Sequence, residues 1–374
     1  MKRIFLGLAA AVVIAAGGYL AYSRWMAKQE GLRESLLRQL PVTATSVIYV
    51  DVAQLREGNL LKSLPSWNAN AAIDPDYKQF VSETGFDYEK DLDQVGIAIQ
   101  NVGTASHYFA IVDGKFDRKK IETYLRKSAI SERHGALEIF HLGELNNPDV
   151  SSARGRISIG FLSNQRLALT DGADLGAELE ALRGDARHQE WMQRYERLSG
   201  APAFILLRQD AAIGSVLSAR APGGIASPQL AQLLNQLTWI SIAGKPEGTS
   251  FRAVIDGECP NELVMRQLTE FFSGIALLAE AGLNDPKLRQ KMDPAEREAY
   301  LQLLNSIDVT KLDRGESKSV RVSLLITPET WSKLSALSEG AIQQSDPKPS
   351  GTGASPQPTS KNKNAGAKAP AGHH

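Results

Sequence analysis

The residues of this chain with ligand-type side chains at close spacing lie in Glu132-Arg133-His134-Gly135-Ala136-Leu137-Glu138-Ile139-Phe140-His141. Two imidazoles and a carboxylate could hold a zinc ion if they converged on one point. On a strand they do not: Leu137, Ile139 and His141 share a face and Glu138 points to the other. Metal binding is therefore not expected here, nor at the terminal His373-His374 pair. Asp91 and Asp93 have the types of a general acid and base, but helix-end capping and a surface turn with Glu89 and Lys90 account for them. Cys259 is the single cysteine. It follows Asp256-Gly257 by two residues, where Phe116 follows Asp113-Gly114, so a packing role is expected rather than a nucleophilic one.

Longer signatures are missing. Pro222-Gly223-Gly224 lacks the Lys-Ser or Lys-Thr ending of a phosphate-cradling loop. The chain has no dinucleotide fingerprint, no Gly-x-Ser-x-Gly elbow and no His-Glu-x-x-His helix. No catalytic residue and no cofactor are assigned, and catalysis is not expected.

The elements that would position any site begin with an apolar run. Ile4 to Tyr22, directly behind Met1-Lys2-Arg3, includes Ile4, Phe5, Leu6, Val12, Val13, Ile14 and Leu20. Such a run suits a hydrocarbon core of roughly 30 Å at about 1.5 Å per helical residue. Tyr19, Tyr22 and Trp25 suit the headgroup layer, with Arg24 extending its charge into water. A cleaved signal peptide would have a shorter apolar stretch ending in small residues, so an uncleaved anchor is expected. Cations flank both ends, but the short basic tail resembles an export n-region. That places the chain in the inner membrane as a single-pass protein with a periplasmic body.

Hydrophobic residues make up 43% and charged residues 22%, enough apolar material for a sizeable core. Formal charge is +0, with no global field to draw in nucleic acid. From Ser23 to Leu40 a helical stalk is expected, with Leu32, Leu36, Leu37 and Leu40 on one side, Arg33, Glu34 and Arg38 on another, and Pro41 as its stop. Packing against the body is the simplest fate of that stalk.

The body reads as α+β, in two similar tandem units of antiparallel sheet with helices on one face, either separate or sharing one continuous sheet, preceded by the transmembrane helix. Strands are expected at Ala44–Asp51, Val95–Ile99, His107–Val112, Ile157–Phe161 and Leu167–Thr170. They recur at Ala201–Leu207, Trp239–Ala243, Phe251–Ile255 and Val320–Ile326. Asp113-Gly114 and Asp256-Gly257 are expected as matching turns. Helices should start at Pro75, Asp117, Pro260, Pro286 and Pro294, the one from Pro260 turning Val264, Leu268, Phe271, Ile275 and Leu278 inward. The boundaries are 1–3 cytoplasmic tail, 4–22 anchor, 23–40 stalk, 41–185 first unit, 186–200 helical connector, 201–340 second unit and 341–374 disordered tail.

The span followed by Leu40-Pro41 and the strand Val47–Val50, with Gly85-Phe86-Asp87, Asp91-Leu92 and Gly114-Lys115-Phe116-Asp117, resembles a family of uncharacterised bacterial single-pass membrane-anchored proteins with a duplicated exported α+β body. The resemblance implies location and architecture and brings no activity. The expected function is a non-enzymatic, membrane-anchored binding or scaffold protein of the cell envelope, with an envelope protein or a lipid as partner. A carrier or sensor of hydrophobic ligands is the alternative, and a hydrolase with a non-local site the next.

Overall fold

The computed structural model describes residues 30–58, 75–102, 105–142, 157–171, 174–184, 190–198, 200–209, 232, 234–290, 292–315, 317–330 and 332 of the 374-residue chain. The anchor and interfacial residues named above, Ile4 to Trp25, and the 341–374 tail lie outside them. Among the described residues no helix is long and apolar enough to cross a membrane.

In chain order the elements are helix α1 (residues 30–37), β1 (Ser46–Asp51), α2 (Val52–Glu57), α3 (Pro75–Thr84), α4 (Tyr88–Asp91), β2 (Leu92–Val102), β3 (Ala105–Gly114) and α5 (Arg118–Leu125). Then come β4 (Ile130–His134), β5 (Leu137–Leu142), β6 (Ile157–Phe161), β7 (Arg166–Asp171), α6 (Leu175–Gly184), α7 (Met192–Glu196), β8 (Ala203–Arg208), β9 (Trp239–Glu247) and β10 (Ser250–Cys259). The chain continues through α8 (Glu262–Leu283), α9 (Pro286–Arg289), α10 (Pro294–Asn305), β11 (Asp308–Arg314) and β12 (Ser317–Ile326).

Local chemistry accounts for many of these boundaries. Side-chain oxygens of Asp51, Asp87, Asp117, Asn261 and Asp293 accept the first orphan amides of α2, α4, α5, α8 and α10. Gly85, at φ +75°, ends α3 in a conformation side chains disfavour. The long helix opens two residues after Pro260, because Asn261 is its cap.

The twelve strands among the described residues form one antiparallel sheet in the order β11-β12-β10-β9-β8-β1-β2-β3-β7-β6-β5-β4. The centre is the β1–β8 pair, where Tyr49 lies opposite Phe204. Outward from that pair, β1-β2-β3-β7 on one side mirrors β8-β9-β10-β12 on the other. At one end of the sheet, called here the upper end, β1, β3, β9 and β12 finish and β2, β7, β8, β10 and β11 begin.

Three expectations are corrected. Helices cover both faces of the sheet, not one. Strand neighbours point to opposite sides, and Trp239 and Ile240, Ile139 and Phe140, and Ala168 and Leu167 divide between separate cores. The first face packs α1, α6 and α7 over Val47, Tyr49, Ala98, Phe109, Ile111 and Phe204, while the second face carries α8 over Ile240 and Val320, α5 over Phe140, and α2 over Val50 and Val95. Asp113-Gly114 and Asp256-Gly257 are strand residues rather than turns, since each aspartate faces an arginine in the next strand, Arg166 or Arg321. Finally, the inward stripe of α1 is Arg33, Leu36, Leu37 and Leu40, while Leu32 is 44% exposed.

Residues 30–40 are thus part of the body. Leu36, Leu37 and Leu40 are fully buried, and each contributes about 1.5–3 kcal/mol by leaving water. The approach is close because β2 offers Gly96, where an added Cβ would sit 2.4 Å from Leu36 Cδ2 and 3.4 Å from Leu40 Cδ1. Gly96→Val is expected to destabilise the chain by about 1–3 kcal/mol through overpacking. Urea unfolding should show a lower midpoint at unchanged slope.

Candidate functional site

A row of polar side chains crosses the first face near its upper end. Asp51, Gln94, Asp113 and Arg166 lie opposite one another on β1, β2, β3 and β7, and α1 covers them. Arg33, 3% exposed, reaches down from α1 to Asp51 at 3.6 Å and donates from Nε to the Tyr49 hydroxyl at 3.2 Å. Its Nη1 donates to Glu30 at 3.1 Å, and Tyr195 on α7 donates its hydroxyl to the same carboxylate. Below, Phe204 stacks on Tyr49 and lies tilted against Tyr195, with ring centroids 5.2 and 5.5 Å apart. Two residues along α1, Ser35 accepts from Arg166 at 3.2 Å.

Burial raises the Asp51 carboxyl above its ordinary range, against the Gln54 amide and the Arg33 guanidinium, which pull it down. Burial likewise pushes the Tyr49 and Tyr195 phenols upward. These groups point at one another. The arrangement joins α1, α7 and the β1–β8 seam and exposes no reactive atom.

Each half also carries a bidentate carboxylate–guanidinium pair on this face. Arg166 holds Asp113 at 2.6 Å through both nitrogens, and Arg321 holds Asp256 at 2.7 Å through both. Beyond Asp256, Glu258 takes Arg194 at 2.8 Å, and the Arg194 guanidinium lies 4.4 Å from the Trp239 ring centroid. Trp239 donates its indole N–H to Glu190 at 2.9 Å, clamping α7 onto the second half.

The structure sends the ligand-type residues of the sequence to separate partners. His134 Nε2 lies 2.8 Å from Glu180, His141 Nδ1 2.9 Å from the Ser158 hydroxyl, and Glu138 accepts from Arg126 at 2.7 Å. Asp91 accepts the Asp87 amide at 2.9 Å. Asp93 stands 3.5 Å from Arg56, its carboxyl raised by burial. Arg56 itself donates to the carbonyls of Glu89, Lys90 and Leu92 at the end of α4. Cys259 is buried among Leu237, Ile240, Val264, Met265, Leu268 and Val320, and burial pushes its thiol up to about 11. Phe116, its counterpart, packs against Phe86 and Phe161.

Outside the core, an open cavity of about 760 Å³ lies between the start of α5 and the β6–β7 turn, lined by Lys115, Phe116, Arg118, Lys119, Asn164 and Gln165 with Asp117 and Glu122. Arg118 is held by Glu122 at 2.6 Å. Its other cations and amides supply charge and hydrogen bonds for a bound group.

The sequence expectation puts Leu32, not Arg33, on the inward stripe of α1. The signal was present: Arg33, Leu36, Leu37 and Leu40 have the i, i+3, i+4, i+7 spacing of one helix face.

No protein-family model matches the chain, and no curated protein matches it. Among solved structures it is similar to TP0453. Crystal form III of that protein is 12% identical at a TM-score of 0.43, covering 80% of this chain and 98% of that one. Crystal form IV is 10% identical at a TM-score of 0.43, covering 81% and 96%.

Two outcomes test the interior. Arg33→Met leaves Asp51 buried without its cation and should lower stability by about 3–5 kcal/mol, read from chemical unfolding. At pH 8 the Cys259 thiol should react with a disulfide reagent only after urea is added. Because the folded chain keeps a thiol proton that the unfolded chain releases, the thiol's contribution to stability is full below about pH 9 and lost as pH rises toward about 11. The stability difference between the chain and its Cys259→Ala variant should shrink over that interval.

Proposed function

We propose that this chain is a membrane-anchored binding or scaffold protein of the cell envelope, its body outside the cytoplasm and its action non-enzymatic. The observation that carries the reading is the short path from apolar run to body. Residues 23–29 alone separate Tyr22 from Glu30, where α1 begins, and Arg33 of that helix is already buried. An anchor so close to a packed element positions the body at the bilayer surface, as a scaffold requires. The cavity beside α5, with Lys115, Lys119, Asn164 and Gln165, offers groups suited to holding a partner.

We further propose that the two halves arose by duplication. The mirrored strand order about β1–β8 and the equivalent pairs Asp113–Arg166 and Asp256–Arg321 support this.

Topology is tested by joining two reporters in separate fusions to the carboxy terminus, one active only outside the cytoplasm and one active only inside. The outside reporter should give signal. Signal from the inside reporter alone would overturn the proposed location.

A further inference from the structure

The second half of α8 departs from the burial expected of its composition. From Phe271 to Leu283 the helix carries one charge, Glu280, yet none of these residues is buried. Leu277 and Leu278 are 68% and 74% exposed, the most open large apolar side chains among the described residues. Two adjacent rows at i, i+4 spacing, Ser273-Leu277-Ala281 and Gly274-Leu278-Gly282, form this face. The first half of the same helix behaves ordinarily, with Val264, Met265 and Leu268 packed on Ile240 and Val320.

The position of this face in the fold indicates what covers it. Helix α8 starts beside Cys259, at the lower end of the sheet. The chain then returns through α9 and α10 to Ser306, whose hydroxyl accepts the Leu325 amide near the upper end of β12. That upper end is also where α1 begins, with Glu30 against Tyr195. Residues 23–29, at about 3.5 Å each when fully extended, reach no further than about 25 Å from Tyr22. The end of the molecule toward which the exposed apolar helix leads is therefore the end held beside the apolar run.

We infer that the Leu277–Leu278 face of α8 lies in the headgroup–acyl boundary of the same bilayer that holds Ile4–Tyr22. The inference rests on the proposed anchoring and adds a second membrane contact that fixes the body's orientation. A half-turn of leucines flanked by glycine and alanine can enter that layer to shallow depth. Lys287 and Arg289, exposed on α9 just beyond it, can face anionic headgroups.

The test uses the full chain in phosphatidylcholine–phosphatidylglycerol vesicles recovered by flotation. A nitroxide is placed at Leu278→Cys and, separately, at Asp313→Cys on the lower end of β11; the unsubstituted chain with its buried Cys259 serves as the blank. Relative to position 313, the label at 278 should favour collisions with oxygen over a water-soluble nickel chelate by roughly threefold or more, as for an interfacial helix. Leu277→Cys should behave like Leu278→Cys. Equal accessibility at 278 and 313 in floated protein would overturn the docking and leave the anchor standing. Spin–spin broadening at 278 that disappears on dilution with unlabelled chain would overturn it in favour of a second copy on this face. A chain that does not float would sink the anchoring proposal and this inference with it.

Discussion

The rest of the structure depends on the burial of Arg33. A guanidinium removed from water is tolerated only where its charge and donors are met, and here they are met by groups from three separate parts of the chain. Asp51 closes the first strand and caps α2, Tyr49 lies in the central strand pair, and Glu30 is shared with Tyr195 of the α7 segment. One side chain thereby joins the amino-terminal helix to the seam between the halves of the sheet. The same helix places Leu36, Leu37 and Leu40 in the core, with Leu36 closely approaching Gly96 of β2.

Around that joint the sheet grows outward on both sides by antiparallel neighbours. Twelve strands in one sheet expose two large faces, and different helices pack on each. On the first face, α1 and α7 sit over the centre and bring their own charges, which explains the Arg166–Ser35 and Arg194–Glu258 contacts at the margins. On the second face, α5 and α8 each cover one wing with apolar residues. The paired carboxylates and guanidiniums Asp113–Arg166 and Asp256–Arg321 occupy corresponding places in the two wings, on the first face, opposite to α5 and α8.

Helix α8 shows how the fold leaves one apolar surface unfilled. Its first half meets the sheet and its second half passes beyond close packing, so identical chemistry is interior at Leu268 and open at Leu278. In water such a face is unfavourable by the area it exposes. A bilayer near the start of α1 would relieve that penalty without altering the core.

Local chemistry made much of this legible. β-branched and aromatic runs marked the strands, and acid-then-helix pairs such as Asp117 and Asp293 marked helix starts, because both signals act within a few residues. The non-convergence of His134, Glu138 and His141 followed from the two-residue period of a strand. Other features needed the tertiary structure. Asp-Gly at 113–114 and 256–257 reads as a turn, and only a cross-strand arginine distant in sequence turns each aspartate into a strand residue. Arg33 reads as solvent-facing by type, and only the partners gathered from residues 49, 51 and 195 make its burial favourable. Leu278 falls on the apolar stripe of α8, but whether it is covered depends on what packs against the second half of the helix. By itself the sequence determined the apolar run, the α+β composition and nine of the twelve described strands, leaving out β4, β5 and β11. The single shared sheet, the two covered faces and the charged joint were decided in three dimensions, because pairing partners and burial depend on segments brought together from afar.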